Sequence, residues 1–279
     1  MWISFVSNLA NVGKGRIKYY QLWDTPQDLT HWTGTPKQLI RMSQDAYQTI
    51  KSIDPNALVL SPPSGAYHGA PNTCMIANRE QPFFASNGGQ WVDIISFNSY
   101  YDETAEDIVP VIQCLNTMLA TYQQNTKPLW VSEGGWGTSK DLGDQTLQAA
   151  FLARSYLVLL SQGVSRFYWY SWNNPNWGTL WNKNTGLLLP GKAYGQVYGW
   201  TVGRVLTQPC ASDTNGVWTC VLGGTNGYQA QATWVQGVSQ TYNVPTQYIS
   251  YRDLLGNKAA ITSGQQITVT TSPILLENQ

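Results

Sequence analysis

The residues best suited to do chemistry in this chain are one glutamate and an aspartate–threonine pair. Glu133 ends the run Lys127-Pro128-Leu129-Trp130-Val131-Ser132 and is followed at once by Gly134 and Gly135. A short apolar strand closing on a single carboxylate, with glycines after it, is how a parallel barrel delivers a catalytic acid to its C-terminal rim. A second strand, Ile17 to Trp23, runs into Asp24-Thr25-Pro26. Two carboxyl groups across a cleft can cleave a glycosidic bond, one attacking the anomeric carbon and the other protonating the leaving oxygen. Glu133 supplies one of them. Where the partner is expected stand Asp24 and Thr25, and a hydroxyl is far too weak an acid to do a carboxyl's work at neutral pH.

The elements that must position these residues alternate between strand and helix. Residues 2–12 read as helix and 17–23 as strand. Residues 36–52 carry Leu39, Met42, Ala46, Tyr47 and Ile50 near a 3.6-residue spacing, which predicts an amphipathic helix ended by Asp54-Pro55-Asn56. Strands follow at 57–60, 92–101, 128–132 and 166–172, with helices near 74–86 and at 104–124, 145–162 and 191–205. Strand–helix alternation implies parallel strands joined by crossovers. After Leu206 short β-rich runs appear at 217–222, 228–235, 246–251, 266–270 and 273–277, which predicts a small antiparallel β domain. The domain reading is 1–206 and 207–279.

Composition narrows the class. The 279 residues are 42% hydrophobic and only 11% charged, and 16 basic side chains cancel 16 acidic ones. Such a surface has no charge with which to attract nucleic acid or an anionic membrane. The 13 tryptophans and 16 tyrosines could stack on sugar faces or fill the core. Met1 to Val12 lacks the basic leader and cleavage site of a signal peptide and reads as a helix. Cys74, Cys114, Cys210 and Cys220 lack zinc-site spacing. Cys210 and Cys220 flank a turn-rich stretch, and a disulfide closing that hairpin is expected, which favours an extracytoplasmic location. His31 and His68 are solitary and read as surface or loop histidines. The absence of metal-ligand spacing and of a phosphate-binding glycine loop implies no cofactor and no metal.

With these segments located, the chain resembles the clan A glycoside hydrolases, and within them family 39 and its relatives, the β-xylosidases and bacterial polysaccharide hydrolases. The resemblance rests on Ile-Asp-Pro-Asn-Ala-Leu-Val-Leu-Ser-Pro (53–62), Val-Asp-Ile-Ile-Ser-Phe-Asn-Ser-Tyr (92–100), the Glu133 segment and Gly-Val-Ser-Arg-Phe-Tyr-Trp-Tyr-Ser-Trp (163–172). It implies a (β/α)8 (TIM-type) barrel, with Glu133 as the nucleophile and Tyr100 as its hydrogen-bonding tyrosine. Asn98 stands where relatives often have histidine, and Trp172 matches the floor of the subsite for the cleaved sugar. Trp136 and Trp177, in the loops that follow, are further candidates for sugar binding. Asp24 and Thr25 occupy the family's Asn-Glu pair, so the acid/base glutamate is replaced. Each of these has a bland alternative: a structural carboxylate for Glu133, a turn and cap for Asp24-Thr25, and core packing for Trp172 and Trp169.

The resemblance also implies that Ile17–Trp23 is barrel strand four. At about 250 residues per eight βα units, roughly 90 residues should precede it, and sixteen do. The expectation is an α/β chain holding an incomplete (β/α)8 barrel of about five βα units, plus the C-terminal β domain, with a homo-oligomer closing the open side. The expected function is weak or impaired hydrolysis of β-linked glycosides or polysaccharides. The alternatives are a non-catalytic carbohydrate-binding protein and a barrel fragment that self-associates. By resemblance the protein would be secreted or otherwise extracytoplasmic.

Overall fold

The alternation of apolar strands and helices becomes a parallel α/β arrangement in the computed structural model, which describes residues 1–66, 74–100, 104–137, 142–174 and 176–279. His68 lies outside the described residues. Two units form, each from separate stretches of chain. The first comprises Met1–Tyr100, Pro110–Gly134 and Val164–Tyr168; the second comprises Tyr101–Val109, Gly135–Gly163 and Trp169–Gln279.

The first unit holds α1 (Trp2–Gly13), β1 (Tyr19–Gln21), α2 (Pro36–Ile53), β2 (Leu58–Leu60), β3 (Ser64–Ala66), α3 (Met75–Ala85) and β4 (Ile95–Tyr100). It also takes most of α4 (Ile108–Thr121), β5 (Leu129–Gly135) and β6 (Val164–Trp169). β1 pairs in parallel with β2, and β3 with β4, in a sheet of order β3-β4-β5-β6. A parallel bridge from Leu60 to Ile94 joins the two sheets, so β2 and β3 are one strand interrupted. Pro62 and Pro63 cause the gap, because neither has an N–H to give the ladder. Ser61 and Ser96 stitch across it: Ser96 N donates to Ser61 Oγ at 2.8 Å, and Ser96 Oγ to Ser61 O at 2.6 Å. Five strand positions result, as the sequence pattern predicts. They do not close into a barrel among the described residues, since β1 and β6 remain the ends of the array.

Local chemistry explains the helices. α2 begins with a capping box, in which Gln38 N donates to Thr35 Oγ1 and Thr35 N to Gln38 Oε1, with Pro36 in the first turn. It buries Leu39, Ser43, Ala46 and Ile50, one face at helical spacing. α1 buries only Val6, Ala10 and Gly13 and leaves Ile3, Phe5, Leu9 and Val12 exposed. All six residues of β4 are buried, as befits a strand covered on both faces. A disulfide between Cys74 and Cys114, which no local pattern announces, ties the start of α3 to α4. On the chain-entropy model, closing a loop of that length is worth about 4 kcal/mol.

The second unit contains α5 (Gln145–Ser161), the pair β7 (Trp181–Asn182) and β8 (Gly186–Leu187), and α6 (Leu189–Thr201). It continues with β9 (Val205–Ser212), β10 (Val217–Gly223), β11 (Gln229–Val235), β12 (Gln240–Asn243), β13 (Ser250–Arg252), β14 (Lys258–Ala260), β15 (Gln266–Val269) and β16 (Ile274–Glu277). An antiparallel sheet of order β14-β13-β16-β11-β10-β9 forms, beside a β12–β15 pair. The sequence pattern misses β9, β12 and β14. It extends the last helix to 205, whereas α6 begins two residues earlier than expected and stops at Thr201. Pro190 is tolerated in the first turn, and Gly203 takes a φ of 76° soon after the helix ends. Cys210 and Cys220 are bonded as expected. Trp218 stacks on Trp234 with planes 8° apart, and Trp234 Nε1 donates to the buried Glu106 at 2.7 Å. Arg154 lies 3.6 Å from the other oxygen of that carboxylate.

Candidate active site

Period-two alternation decides which strand side chains share a face. On β4 it puts Asn98 and Tyr100 together, and on the neighbouring β5 it puts Val131 with Glu133. The two strands lie unusually close where Gly134 follows. A Cβ on Gly134 would come 2.3 Å from the Ser99 carbonyl oxygen, so only glycine fits there. The Tyr100 hydroxyl donates to Glu133 Oε1. Tyr100 is buried and Glu133 half-buried.

The chain leaving β1 brings the other carboxylate to the same place. Asn98, fully buried, donates from Nδ2 to Asp24 Oδ1 at 3.2 Å and accepts at Oδ1 from the Ser132 hydroxyl at 2.9 Å. Thr25 Oγ1 donates to Asp24 Oδ2 at 3.2 Å. Both Asp24 oxygens therefore act as acceptors, although the residue itself is exposed. Thr25 is buried and holds a φ of 39°, a left-handed conformation that a β-branched residue adopts only under strain.

The Thr25 hydroxyl has a second partner, His31 Nδ1, at 2.5 Å. The sequence reading leaves His31 as a solitary loop histidine, and it is indeed an exposed loop residue. A compact turn nevertheless fixes it against the site. His31 N donates to Asp28 O at 2.9 Å, Asp28 Oδ1 accepts from Thr30 N, and Trp23 packs edge-on against Trp32 at 5.3 Å to close the loop. No periodicity marks such a residue. The only sequence signal is its position six residues beyond Thr25, in a segment rich in Asp and Thr.

Electrostatics reports the same grouping. Burial pushes the Glu133 carboxyl above the ordinary carboxylate range. The Tyr100 hydrogen bond opposes that, the Asp24 charge adds to it, and a charged His31 opposes it. Glu133 thus feels the charges of both Asp24 and His31.

The tryptophans belong to the second unit. Trp136 is only 1% exposed, packed on Phe151 and Trp169 and pressed against Gly178. With no face open, it is a core residue and not the sugar contact expected from its sequence position. Trp172 is 53% exposed, and its carbonyl accepts from Leu180 N and Trp181 N. Trp177 is half-buried, edge-on to Tyr170. No group of three or more His, Cys, Asp or Glu side chains suited to a metal occurs among the described residues.

No protein-family model and no curated protein matches this chain. Solved structures do. A family 39 glycoside hydrolase from Bacteroides cellulosilyticus WH2 superposes with a TM-score of 0.79 at 16% identity, over 98% of this chain and 60% of its own. At this identity the likeness is one of fold. A Paenibacillus polymyxa family 44 xyloglucanase matches at TM-score 0.66 and 12% identity, over 99% of this chain and 69% of its own. The family 51 arabinofuranosidase of Xanthomonas axonopodis pv. citri gives 0.66 and 9%, over 99% and 73%. The chain spans about three-fifths of the length of the family 39 enzyme.

Proposed function

We propose that this chain is a weak retaining glycosidase of the family 39 kind, built on part of a TIM-type barrel and acting on β-linked glycosides. The observation that carries the reading is the Glu133 carboxylate, half-buried at the end of β5 and held by the Tyr100 hydroxyl, with the Asp24 charge beside it. Glu133 attacks the anomeric carbon, the Tyr100 O–H steadies the charged nucleophile, and Asp24 is oriented by Asn98 and Thr25 toward a substrate hydroxyl. Asp24 and Thr25 occupy the family's Asn-Glu pair, which removes the acid/base glutamate, and a general acid is worth roughly 10²–10⁴ in rate. Substrates whose leaving group needs little protonation should therefore react best.

The test is trapping. An activated 2-fluoro aryl β-glycoside should release its phenol once per chain and leave the sugar esterified to the peptide containing Glu133, as read by mass spectrometry. Glu133→Gln should abolish both signals. An unlabelled wild-type protein across β-xylosides, β-glucosides and β-galactosides would sink the reading.

A second reading is favoured by the loss of the acid at position 25: a carbohydrate-binding protein without turnover, in which exposed Trp172 contributes to sugar contact. Saturable oligosaccharide binding with no labelling of Glu133 would support it. Two disulfides fit an oxidising compartment, and no helix among the described residues is long and apolar enough to cross a membrane. The exposed Ile3, Phe5, Leu9 and Val12 of α1 are the surface through which copies of the chain would associate. Sedimentation of wild type against a Phe5→Glu, Leu9→Glu variant tests that.

A further inference from the structure

We propose that His31, oriented through Thr25, is the proton donor that this site uses in place of the missing acidic side chain. The inference rests on the glycosidase reading above and goes beyond it, since no part of that reading gives the site a working acid.

Hydrogen-bond direction supplies the argument. The Thr25 hydroxyl has one proton, and Asp24 Oδ2, an acceptor, takes it. The contact between Thr25 Oγ1 and His31 Nδ1 must then be donated by the ring, which fixes a proton on Nδ1. A histidine whose Nδ1–H is held by an oxygen anchored on a carboxylate has its Nε2 left to exchange a proton, the arrangement by which an aspartate orients a catalytic imidazole. His31 Nε2 makes no hydrogen bond among the described residues, and the ring is exposed, so a leaving group can reach it. The charge of His31 reaches Glu133 as well as Asp28. The residue thus stands within electrostatic range of Glu133 and in contact with Thr25, which holds the acid's place in the chain.

Glu133 forms a bond to the anomeric carbon while the glycosidic C–O bond breaks. The electron pair goes to the leaving oxygen, which takes the Nε2 proton and departs as an alcohol. Water then gives a proton to the neutral ring as its oxygen attacks the same carbon, releasing the Glu133 carboxylate and the free sugar.

The experiment compares a dinitrophenyl β-glycoside, which needs little protonation, with the unsubstituted phenyl β-glycoside of the same sugar. His31→Gln should lower kcat/KM for the phenyl substrate by about 100-fold and change it little for the dinitrophenyl one. In wild type the phenyl reaction should fall on the alkaline side, and this basic limb should vanish in His31→Gln. Among the described residues, Asp28 and Glu133 feel the ring's charge, and Asp24 meets the ring through Thr25. Azide added to His31→Ala should yield a glycosyl azide, which wild type does not form. Thr25→Ala should reproduce part of the leaving-group effect, and Thr25→Ser should restore it. Equal loss on both substrates, no loss on either, or a basic limb retained in His31→Gln overturns the proposal while leaving Glu133 as the nucleophile. Failure of wild type to cleave either substrate or to be labelled at Glu133 removes the glycosidase reading itself and this inference with it.

Discussion

The Asn98 side chain, buried in the middle of β4, donates to Asp24 Oδ1 across 74 positions of chain. This bond holds the turn after β1 to the strand beside Glu133, and the Ser132 hydroxyl fixes the amide from its other end. Asn98→Ala would leave the Ser132 hydroxyl and one Asp24 oxygen without their partner. The expected cost is about 1–3 kcal/mol of stability, together with a larger proportional loss of turnover, because Asp24 loses its orientation. Urea unfolding and dinitrophenyl glycoside hydrolysis measure the two effects separately. Turnover that survives while stability drops would mean that Asp24 plays no part in the reaction.

On the proposed reading Glu133 must be ionised to attack, and burial raises its pKa. Activity should therefore fade on acidification at a higher pH than an ordinary carboxylate would give. The partners set the sign of each variant. Tyr100→Phe removes a hydrogen bond that favours the charged form, so the acidic limb should move to higher pH. Asp24→Asn removes a repelling charge, so it should move to lower pH. A pH series of kcat/KM on a dinitrophenyl glycoside checks both, and shifts in the opposite directions would reject the assignment of Glu133 as nucleophile.

Thr25 combines strain with a hydrogen-bonding role, and glycine separates them. Thr25→Gly relieves a β-branched residue at positive φ, a strain of about 1–3 kcal/mol, and restores chain entropy to the unfolded state at about 0.5–1 kcal/mol. The melting temperature should therefore hold or rise slightly. The hydroxyl joining His31 to Asp24 is lost, so hydrolysis of phenyl glycosides should fall by at least about tenfold. A variant less stable than wild type would show that the Thr25 contacts, not its backbone, dominate the energetics of the turn.

How much of this site the sequence discloses depends on how locally each feature is encoded. Glu133 is legible because an apolar run, a lone carboxylate and two glycines are contiguous. The helix α2 is legible because its cap, its face and its stop are all local. The strand pair β2–β3 reads as one short strand because Pro62-Pro63 signals an end, and only the Ser61–Ser96 bonds with the neighbouring strand reveal that it resumes. The Cys74–Cys114 bond and the contact of His31 with Thr25 depend on where loops return, which no periodicity records. Trp136 shows the converse: a tryptophan beside a candidate catalytic residue looks like a sugar contact in sequence, and packing against Phe151 and Gly178 makes it core.

A second acid lies outside the proposed chemistry. Glu80 on α3 is buried and lines a cavity of about 220 Å³ with Gln27, Trp32 and Phe83. Its Oε1 accepts from Ser64 N at 3.1 Å, while Oε2 has no hydrogen-bond partner among the described residues. Burial lifts its pKa from 4.5 to about 8. The folded state therefore holds this proton more tightly than the unfolded chain, and stability should fall as pH rises from 4.5 toward 8, by roughly 3 kcal/mol at pH 7. Glu80→Gln keeps the acceptor for Ser64 and cannot ionise, so its stability should lack this slope. Urea midpoints at pH 5 and pH 8 decide the matter. Wild type should lose stability between them by more than the variant does, and parallel behaviour of the two proteins would mean that Glu80 ionises in the fold without penalty.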